Sequence, residues 1–464
     1  MYGVNIGFEI GKRALLSAQY GLNTTGHNIA NANTPGFTRQ QVMMVTTQPF
    51  EFSNMQFGTG TKVDSVRRLR TEFLDEQFRQ ETQRKGRWET LSYSWGQIER
   101  VFAEPSDDGF ASILEDFWNS WQDLSIDPES MAARAAVKEH AHLLINGFNQ
   151  LSRQLSDLQT SVNDDITKSV DHINEIGNEI AALNETIHTA EMSGQQANDL
   201  RDRRDLLVDV LSDYVNVDVI EQPNGYLTVF IGSMAFVDST TCSSLEAVPK
   251  TVGSTVVHQI KFSNSDVDPE IVNGKLAGYI EIRDEILLER HSEIDQLALN
   301  LVDKLNEIHN QGVGLNGQTN IDFFDANTTG AIDIKLNDLI IGDDSYIAAS
   351  LNGEVGDNSN ALNIAGLRND SIMLNGNSTL NEYYNSIVGV IGIKTREAIS
   401  MATNQEALVF HIENNKESIE GVSLDEEMTN MIKYQHAYEA AARVITAMDE
   451  ALNTVINGMG LVGR

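Results

Sequence analysis

The sequence predicts a mainly α protein with a β-rich outer part, elongated and nested, whose two ends pair as coiled-coil helices around a long-helix bundle and a small outer β domain. Three observations carry this. Proline is absent between Pro128 and Pro223 and again after Pro269, which permits long helices. Apolar residues recur at helical spacing across those stretches and near both ends. Between them lie runs that alternate polar with apolar or collect Asn, Gly and Asp.

The first element is a helix. Phe8, Gly11, Leu15, Ala18, Leu22, Thr25 and Ile29 alternate steps of three and four, the coiled-coil period. Only Phe8, Leu15, Leu22 and Ile29 are large and apolar. Their burial stabilises by about 1.5–3 kcal/mol each, whereas ordering residues 8–29 costs about 1–2 kcal/mol per residue in backbone entropy. Such a helix orders fully when neighbours supply further buried surface. Thr34-Pro-Gly-Phe37 then reads as a turn, with Pro35 presetting one dihedral and Gly36 taking the positive one.

A long helix is predicted over roughly 129–212. Its stripe is Leu151, Leu155, Leu158, Val162, Ile166, Val170, Ile173, Ile176, Ile180, Leu183 and Ile187, a mean step of about 3.6, as in a straight helix packed on neighbours. Val215, Val217 and Val219 alternate with polar residues, Asn224-Gly225 marks a hairpin turn, and Leu227, Val229 and Ile231 alternate again. His258 to Phe262 reads as another strand. A second helix over about 275–310 carries Ile280, Leu287, Ile294, Leu301, Leu305 and Ile308. Residues 313–375, with apolar runs such as Leu339 to Ile341, read as short strands and loops.

The last helix repeats the 3.5 period through Leu424, Met428, Met431, Gln435, Tyr438, Ala442, Ile445, Asp449, Leu452, Ile456 and Met459. Ser423-Leu-Asp-Glu426 fits a capping box at its start, and Gly458, Gly460 and Gly463 offer places to stop. The nested division is then 1–40 with 421–464 as a terminal coiled coil, 41–214, 275–312 and 376–420 as a helical middle, and 215–274 with 313–375 as β-rich outer material. The assembly stripe is Phe8, Leu15, Leu22, Ile29, Leu424, Met428, Met431, Tyr438, Ile445, Leu452 and Ile456.

Composition narrows the partners. The 67 Asp plus Glu against 33 Lys plus Arg give a formal charge of −34, a field that repels nucleic acid and anionic lipid. Neither nucleic-acid binding nor membrane insertion is expected. Cys242 is the one cysteine, so no intramolecular disulfide can form. The N-terminal residues do not read as a secretory signal, and no run approaches about 18 apolar residues.

Catalytic signatures are missing: no H-E-x-x-H, no phosphate-binding G-x-x-x-x-G-K-[ST], no G-x-S-x-G. His140 and His142 are two apart and point to different helix faces. Asp325-Ala-Asn-Thr-Thr-Gly330 resembles the opening of a calcium loop, but Thr329 and Leu336 stand where ligands are needed, so it reads as a polar turn. No catalytic, cofactor or metal residues are expected, and the protein is not expected to be an enzyme.

Asn28-Ile-Ala-Asn-Ala-Asn-Thr-Pro-Gly-Phe-Thr-Arg39 resembles the N-terminal signature of the flagellar rod, hook and hook-associated axial proteins, on Asn28, Ile29, Asn31, Asn33, Thr34, Pro35, Gly36 and Phe37. Gly421-Val-Ser-Leu-Asp-Glu-Glu427 with Lys433-Tyr-Gln435 is similar to the terminal helix of the first hook-associated proteins, and so are Asp199-Leu-Arg-Asp-Arg-Arg-Asp-Leu-Leu207 and Gly314-Leu-Asn-Gly317 with Asp322-Phe-Phe324. The resemblance implies a structural subunit of the hook–filament junction. It would be exported unfolded by the flagellar type III apparatus, held beforehand by a chaperone on its C-terminal helix. It would self-assemble into a helical ring layer between the hook protein and the neighbouring second junction protein, the third hook-associated protein, outside the cell. A hook or distal rod subunit, or an axial scaffold carrying a hydrolase, are the alternatives.

Overall fold

The structure, a computed structural model, describes residues 2–458 apart from 53–54, 103, 105, 107–108, 193, 253–254 and 266. Met459, Gly460 and Gly463, read above as the end of the last helix, lie outside the described residues. Helix α1 (Tyr2–Asn31) stops at the expected turn, where the Phe37 N–H donates to Thr34 O at 3.1 Å and Gly36 takes φ +75°.

Residues 41–68 depart from the helical middle assigned to them. They form a β ribbon, β1 (Gln40–Thr46) antiparallel to β4 (Thr61–Arg68), with a tip of β2 (Phe50–Phe52) and β3 (Met55–Phe57). Val42, Val45, Val63 and Val66 are β-branched and suit a pleated ribbon better than a helix.

Helices α2 (Glu72–Phe102), α3 (Phe110–Ile126), α4 (Met131–Glu191) and α5 (Asn198–Tyr214) follow. The predicted 129–212 helix is thus two. Gly194 takes φ +82° and donates to Glu191 O at 2.8 Å, and the chain turns back so that α5 packs on α4. With 61 residues, α4 is roughly 90 Å long. Nine of its eleven stripe residues are buried, Leu158 and Leu183 being half-buried.

A four-stranded antiparallel sheet, β5 (Val217–Glu221), β6 (Leu227–Ile231), β7 (Met234–Asp238) and β8 (Thr241–Cys242), lies against α4 beside the hairpin β9 (Leu245–Val252) and β10 (Thr255–Phe262). Helix asparagines fasten it. Asn184 pairs with both backbone groups of Leu227 (2.8 and 3.1 Å), and Asn174 with both of Leu245 (2.8 Å each). Gly177 lets Phe236 and Cys242 approach the helix, since a Cβ there would stand 2.5 Å from the Phe236 ring.

Helix α6 (Lys275–Glu281) continues through a π turn, Ile282–Ile286, into α7 (Leu287–His309). Residues 313–375 hold short strands and loops as expected, β11 (Val313–Gly314) and β12 (Ala348–Ser350), but also the helices α8 (Asp338–Gly342) and α9 (Ser359–Gly366), which were not expected. Leu339 to Ile341, taken as strand-like, lie in α8: Asn337 caps it by accepting from the Leu339 N–H at 3.0 Å, and only Ile340 turns inward. This segment closes the core formed by Phe117, Trp121, Phe323, Phe324 and Ile364.

The described residues end with α10 (Leu380–Glu420), a three-residue bend, α11 (Leu424–Asn453) and a π turn, Thr454–Gly458. The capping box expected at Ser423 is absent. The Ser423 side chain makes no cap, and Glu426, the other half of the box, pairs with Arg39. A capping box does open α10, between Thr379 and Glu382. No helix among the described residues is long and apolar enough to cross a membrane.

Candidate functional site

The terminal helices run antiparallel. Gly7 lies against Met448, Gly11 against Ile445, Gly21 against Tyr434, and Asn28 bonds Glu427. Their seam is built of small residues rather than the large ones of the predicted stripe. A Cβ would stand 2.8 Å from Met448 at Gly7, 2.9 Å from Ile445 at Gly11 and 2.6 Å from Tyr434 at Gly21. Ala18, Thr25 and Asn28 continue the same alternation and are buried. Phe8, Leu15, Leu22 and Ile29 flank this seam half-buried. On α11 the residues turned inward repeat every seven positions, Glu427 and Ala441 buried, Tyr434 and Met448 half-buried. Met431, Ile445 and Leu452 are half-buried, whereas Leu424, Met428, Tyr438 and Ile456 are exposed. The predicted register already held Gly11, Ala18 and Thr25 of this seam beside the large flanking residues; Gly7, Gly21 and Asn28 were left out of it, and glycines 14 residues apart were the signal for them.

At its inner end the pair meets the body in a polar joint, where motifs far apart in sequence converge. Asn28 is 1% exposed and satisfies both its amide ends. Its Nδ2 donates to Gln40 O (2.9 Å) and Glu427 Oε2 (3.0 Å), and its Oδ1 accepts from the Gln40 N–H (3.0 Å). Asn31 Nδ2 donates to His27 O, and Thr34 Oγ1 to Asn31 Oδ1, bracing the turn. Phe37 meets His27 edge-on with ring centroids 5.4 Å apart, while Asn33 and Pro35 are exposed. Gly36 faces α5, where a Cβ would stand 3.0 Å from that of Leu206.

The Asp199 to Leu207 segment is the other half of the joint. Asp199 Oδ1 accepts from Gln40 Nε2 at 2.7 Å and pairs with His27 at 3.1 Å. Asp202 accepts from the Thr38 N–H at 3.0 Å. From Asp202 a ladder of alternating charges runs inward. Arg68 bridges Asp202 (2.8 Å) and Asp205 (2.7 Å), Arg70 bridges Asp205 (3.0 Å) and Asp75 (2.5 Å), and Lys416 bridges Asp75 (2.8 Å) and Asp209 (3.2 Å), which ends on Arg79 (2.6 Å). No member's side chain is more than 18% exposed. Burial alone would raise the Asp205 carboxyl, but Arg70 and Arg68 overcome it and hold it below the usual carboxylate range. Asp75 is held down in the same way, against burial, by Arg70 and Lys416. Arg39 completes the joint, with its N–H on Glu420 O at 2.9 Å and its guanidinium on Glu426 (2.6 Å) and Glu427 (2.7 Å). Burial pushes up the Glu420 carboxyl, which accepts from the Thr71 N–H.

This constellation can hold a helix pair at a set angle. The groups are paired ionic side chains, not a nucleophile beside a base. Among the described residues no cluster of three or more His, Cys, Asp or Glu side chains could hold a metal ion. Asp325 sits in a turn, bonding the Asn327 N–H and pairing with Lys335.

Comparison with known proteins places these motifs. The flagellar hook-associated protein FlgK helical domain matches residues 95–324, the flagellar basal body rod FlgEFG C-terminal model matches 418–458, and the flagella basal body rod protein model matches 8–38. Flagellar hook-associated protein 1 of Bacillus subtilis is 34% identical over 99% of this chain and 99% of its own. The chain belongs to the flagellar hook-associated protein 1 family. It is accordingly a flagellar hook-associated structural protein. The Escherichia coli flagellar hook-associated protein 1 is 27% identical over 96% of this chain and 98% of its own. The flagellar hook junction protein FlgK of Burkholderia pseudomallei shares the fold, with a TM-score of 0.66 and 17% identity, covering 75% of this chain and 100% of that one. The two rod-type matches cover the terminal pair, and the hook-associated match covers most of the body, so the joint lies where the two kinds of segment meet.

Proposed function

We propose that this member of the hook-associated protein 1 family is a structural subunit of the hook–filament junction and has no catalytic role. The observation that carries the reading is the joint itself: the three axial-protein motifs, 28–39, 199–207 and 421–427, fold into one ionic connection between a helix pair and a body. Subunits pass unfolded through the flagellar type III apparatus and settle at the distal end of the hook, outside the cell. There residues 1–40 and 421–464 form an inner tube, the helices of the body a surrounding wall, and the strands of 215–274 an outer surface. The exposed Leu424, Met428 and Ile456, with the half-buried Phe8, Leu15, Leu22 and Leu452, supply apolar surface for neighbouring copies in a helical ring layer. Hook protein lies on one side and the third hook-associated protein on the other, and a chaperone covers the C-terminal helix before export.

Electron microscopy of a strain lacking the gene, with and without complementation, tests this. Hooks without filaments, flagellin in the medium, and rescue by this chain alone are expected. Missing hooks would move the protein to the hook or rod, and normal filaments would end the proposal.

A further inference from the structure

Two stretches of chain cross from the body to the terminal pair, 32–39 and 421–423. Arg39 spans both. Its backbone is fixed on the body side, the N–H on Glu420 O (2.9 Å) and the carbonyl on the Leu69 N–H (2.8 Å). Its side chain reaches the first turn of α11, where Nε and Nη2 both contact Glu427 Oε1, at 2.9 and 2.7 Å. The Glu427 side chain is 3% exposed, and its Oε2 takes the Asn28 amide at 3.0 Å. Glu426, on the same arginine, is 62% exposed. Among the described residues Arg39 is the one cation paired with Glu427.

We infer that Arg39 and Glu427 form the latch that fixes the angle between the terminal helix pair and the body; its use in the flagellum rests on the assembly reading above, but the latch itself does not. The physical reason is the burial of Glu427. A carboxylate that loses its cation cannot stay unpaired in a dry site. Unless it takes up a proton, it regains water by swinging out, which breaks its bond to Asn28 and lifts the first turn of α11. Loss of Arg39 therefore frees the α11 side of the pair, and with it the angle of that helix to the body, while Asn28, Gln40 and Thr38 still tie α1 and the body stays folded. Glutamine at 427 keeps the size and the bond to Asn28 without the charge, so it removes the need for a cation. Arg39 is a positioning residue on this account, acting through Glu427.

The test uses the full chain with Cys242→Ser and spin labels at Asn404→Cys on α10 and Ala440→Cys on α11, both exposed. Each lies about 17 residues from the bend, roughly 25 Å along its helix. A rotation of about 10° then moves one label by roughly 4 Å. Pulsed electron spin resonance should give a narrow distance distribution for the parent and a shifted or broadened one for Arg39→Met, which keeps the aliphatic stem. Arg39→Met with Glu427→Gln should return to the parent distribution. A broad distribution in the parent, an unchanged one in Arg39→Met, or no recovery in the double variant overturns the latch. Helix content by circular dichroism guards against global unfolding, and a double variant that refolds an unfolded Arg39→Met chain supports the same buried-charge account. Swimming of strains carrying each variant is read separately. Distances that behave as expected with motility unaffected would leave the latch standing and remove its role in assembly.

Discussion

The carboxylate of Asp202 accepts a hydrogen bond from the backbone N–H of Thr38 at 3.0 Å, although 164 residues separate them in the chain. This bond ties the turn that ends the first helix to α5 of the body. Asp202 also pairs with Arg68 at 2.8 Å, so it serves a backbone donor and a cation at once.

Replacing Asp202 by alanine strands the Thr38 N–H and leaves Arg68 on Asp205 alone, in a site where Asp202 is 6% exposed. We expect a loss of about 1–3 kcal/mol, the cost of leaving a buried donor unpaired. Asp202→Asn, which can still accept from Thr38, should lose less. Urea unfolding followed by circular dichroism measures both, and equal losses would mean that the Thr38 bond contributes nothing.

Gly36 holds φ +75° with Leu206 where a Cβ would point. Gly36→Ala should destabilise by about 1–3 kcal/mol through strain at positive φ. Adding Leu206→Ala makes room but leaves the dihedral, so denaturation of the double variant should not recover the parent midpoint.

Gly21→Val tests the seam. The added branches meet the Tyr434 ring, already 2.6 Å from a Cβ at this position. Hydrogen exchange should quicken in α1 and α11 while α4 keeps its protection. Unchanged exchange in the terminal helices would contradict the close packing. In a cell, Leu452→Asp, which puts a charge on a half-buried position of the same pair, should prevent filament growth and leave the body folded.

His309 is fully buried and neutral by geometry. Its Nδ1 donates to Ile321 O at 2.6 Å and its Nε2 accepts from the Ala348 N–H at 2.9 Å. Burial pushes it down from 6.5 to about 4. The unfolded chain therefore takes up a proton at higher pH than the native one. Stability from this group is complete above pH 6.5 and is lost as pH falls toward 4. Burial raises Glu293 to about 7, and its linkage runs the opposite way, with stability lost as pH rises from about 4.5 to 7. The two trends overlap, so the parent curve alone hides both. The informative measurement is the stability gap between parent and His309→Gln, which should shrink by on the order of 3 kcal/mol from pH 7 to pH 4. A constant gap would rule out the buried neutral imidazole.

The helices were legible in the sequence because their signal is local. The Leu151 to Ile187 stripe needs no knowledge of its neighbours to be read as one buried face. The hairpin at Asn224-Gly225 was equally local. The break at Gly194 was missed because one glycine weighs little against a long apolar period, and the ribbon of 41–68 because short strands leave a weak pattern. The joint was half legible. Its three motifs could be recognised, but that they touch could not, since ion pairs between residues such as Arg39 and Glu427 depend on tertiary placement and leave no periodicity. Ser423 and Glu426 were misassigned for that reason. The Ser-x-x-Glu spacing is present, but Ser423 makes no cap and Glu426 pairs with a distant arginine.

The antiparallel terminal pair has a consequence in time. Helix α1 ends at Asn31 and α11 begins at Leu424, so at 5–20 residues per second the ribosome needs about 20–80 s to make the partner of the first helix. Until then α1 carries glycines at 7, 11 and 21 that each weaken an isolated helix by about 1 kcal/mol. The same glycines leave little apolar surface on the waiting seam. The first helix is therefore left only weakly helical, with a seam of little apolar surface, until its partner exists, a delay set by the same residues that later pack most closely.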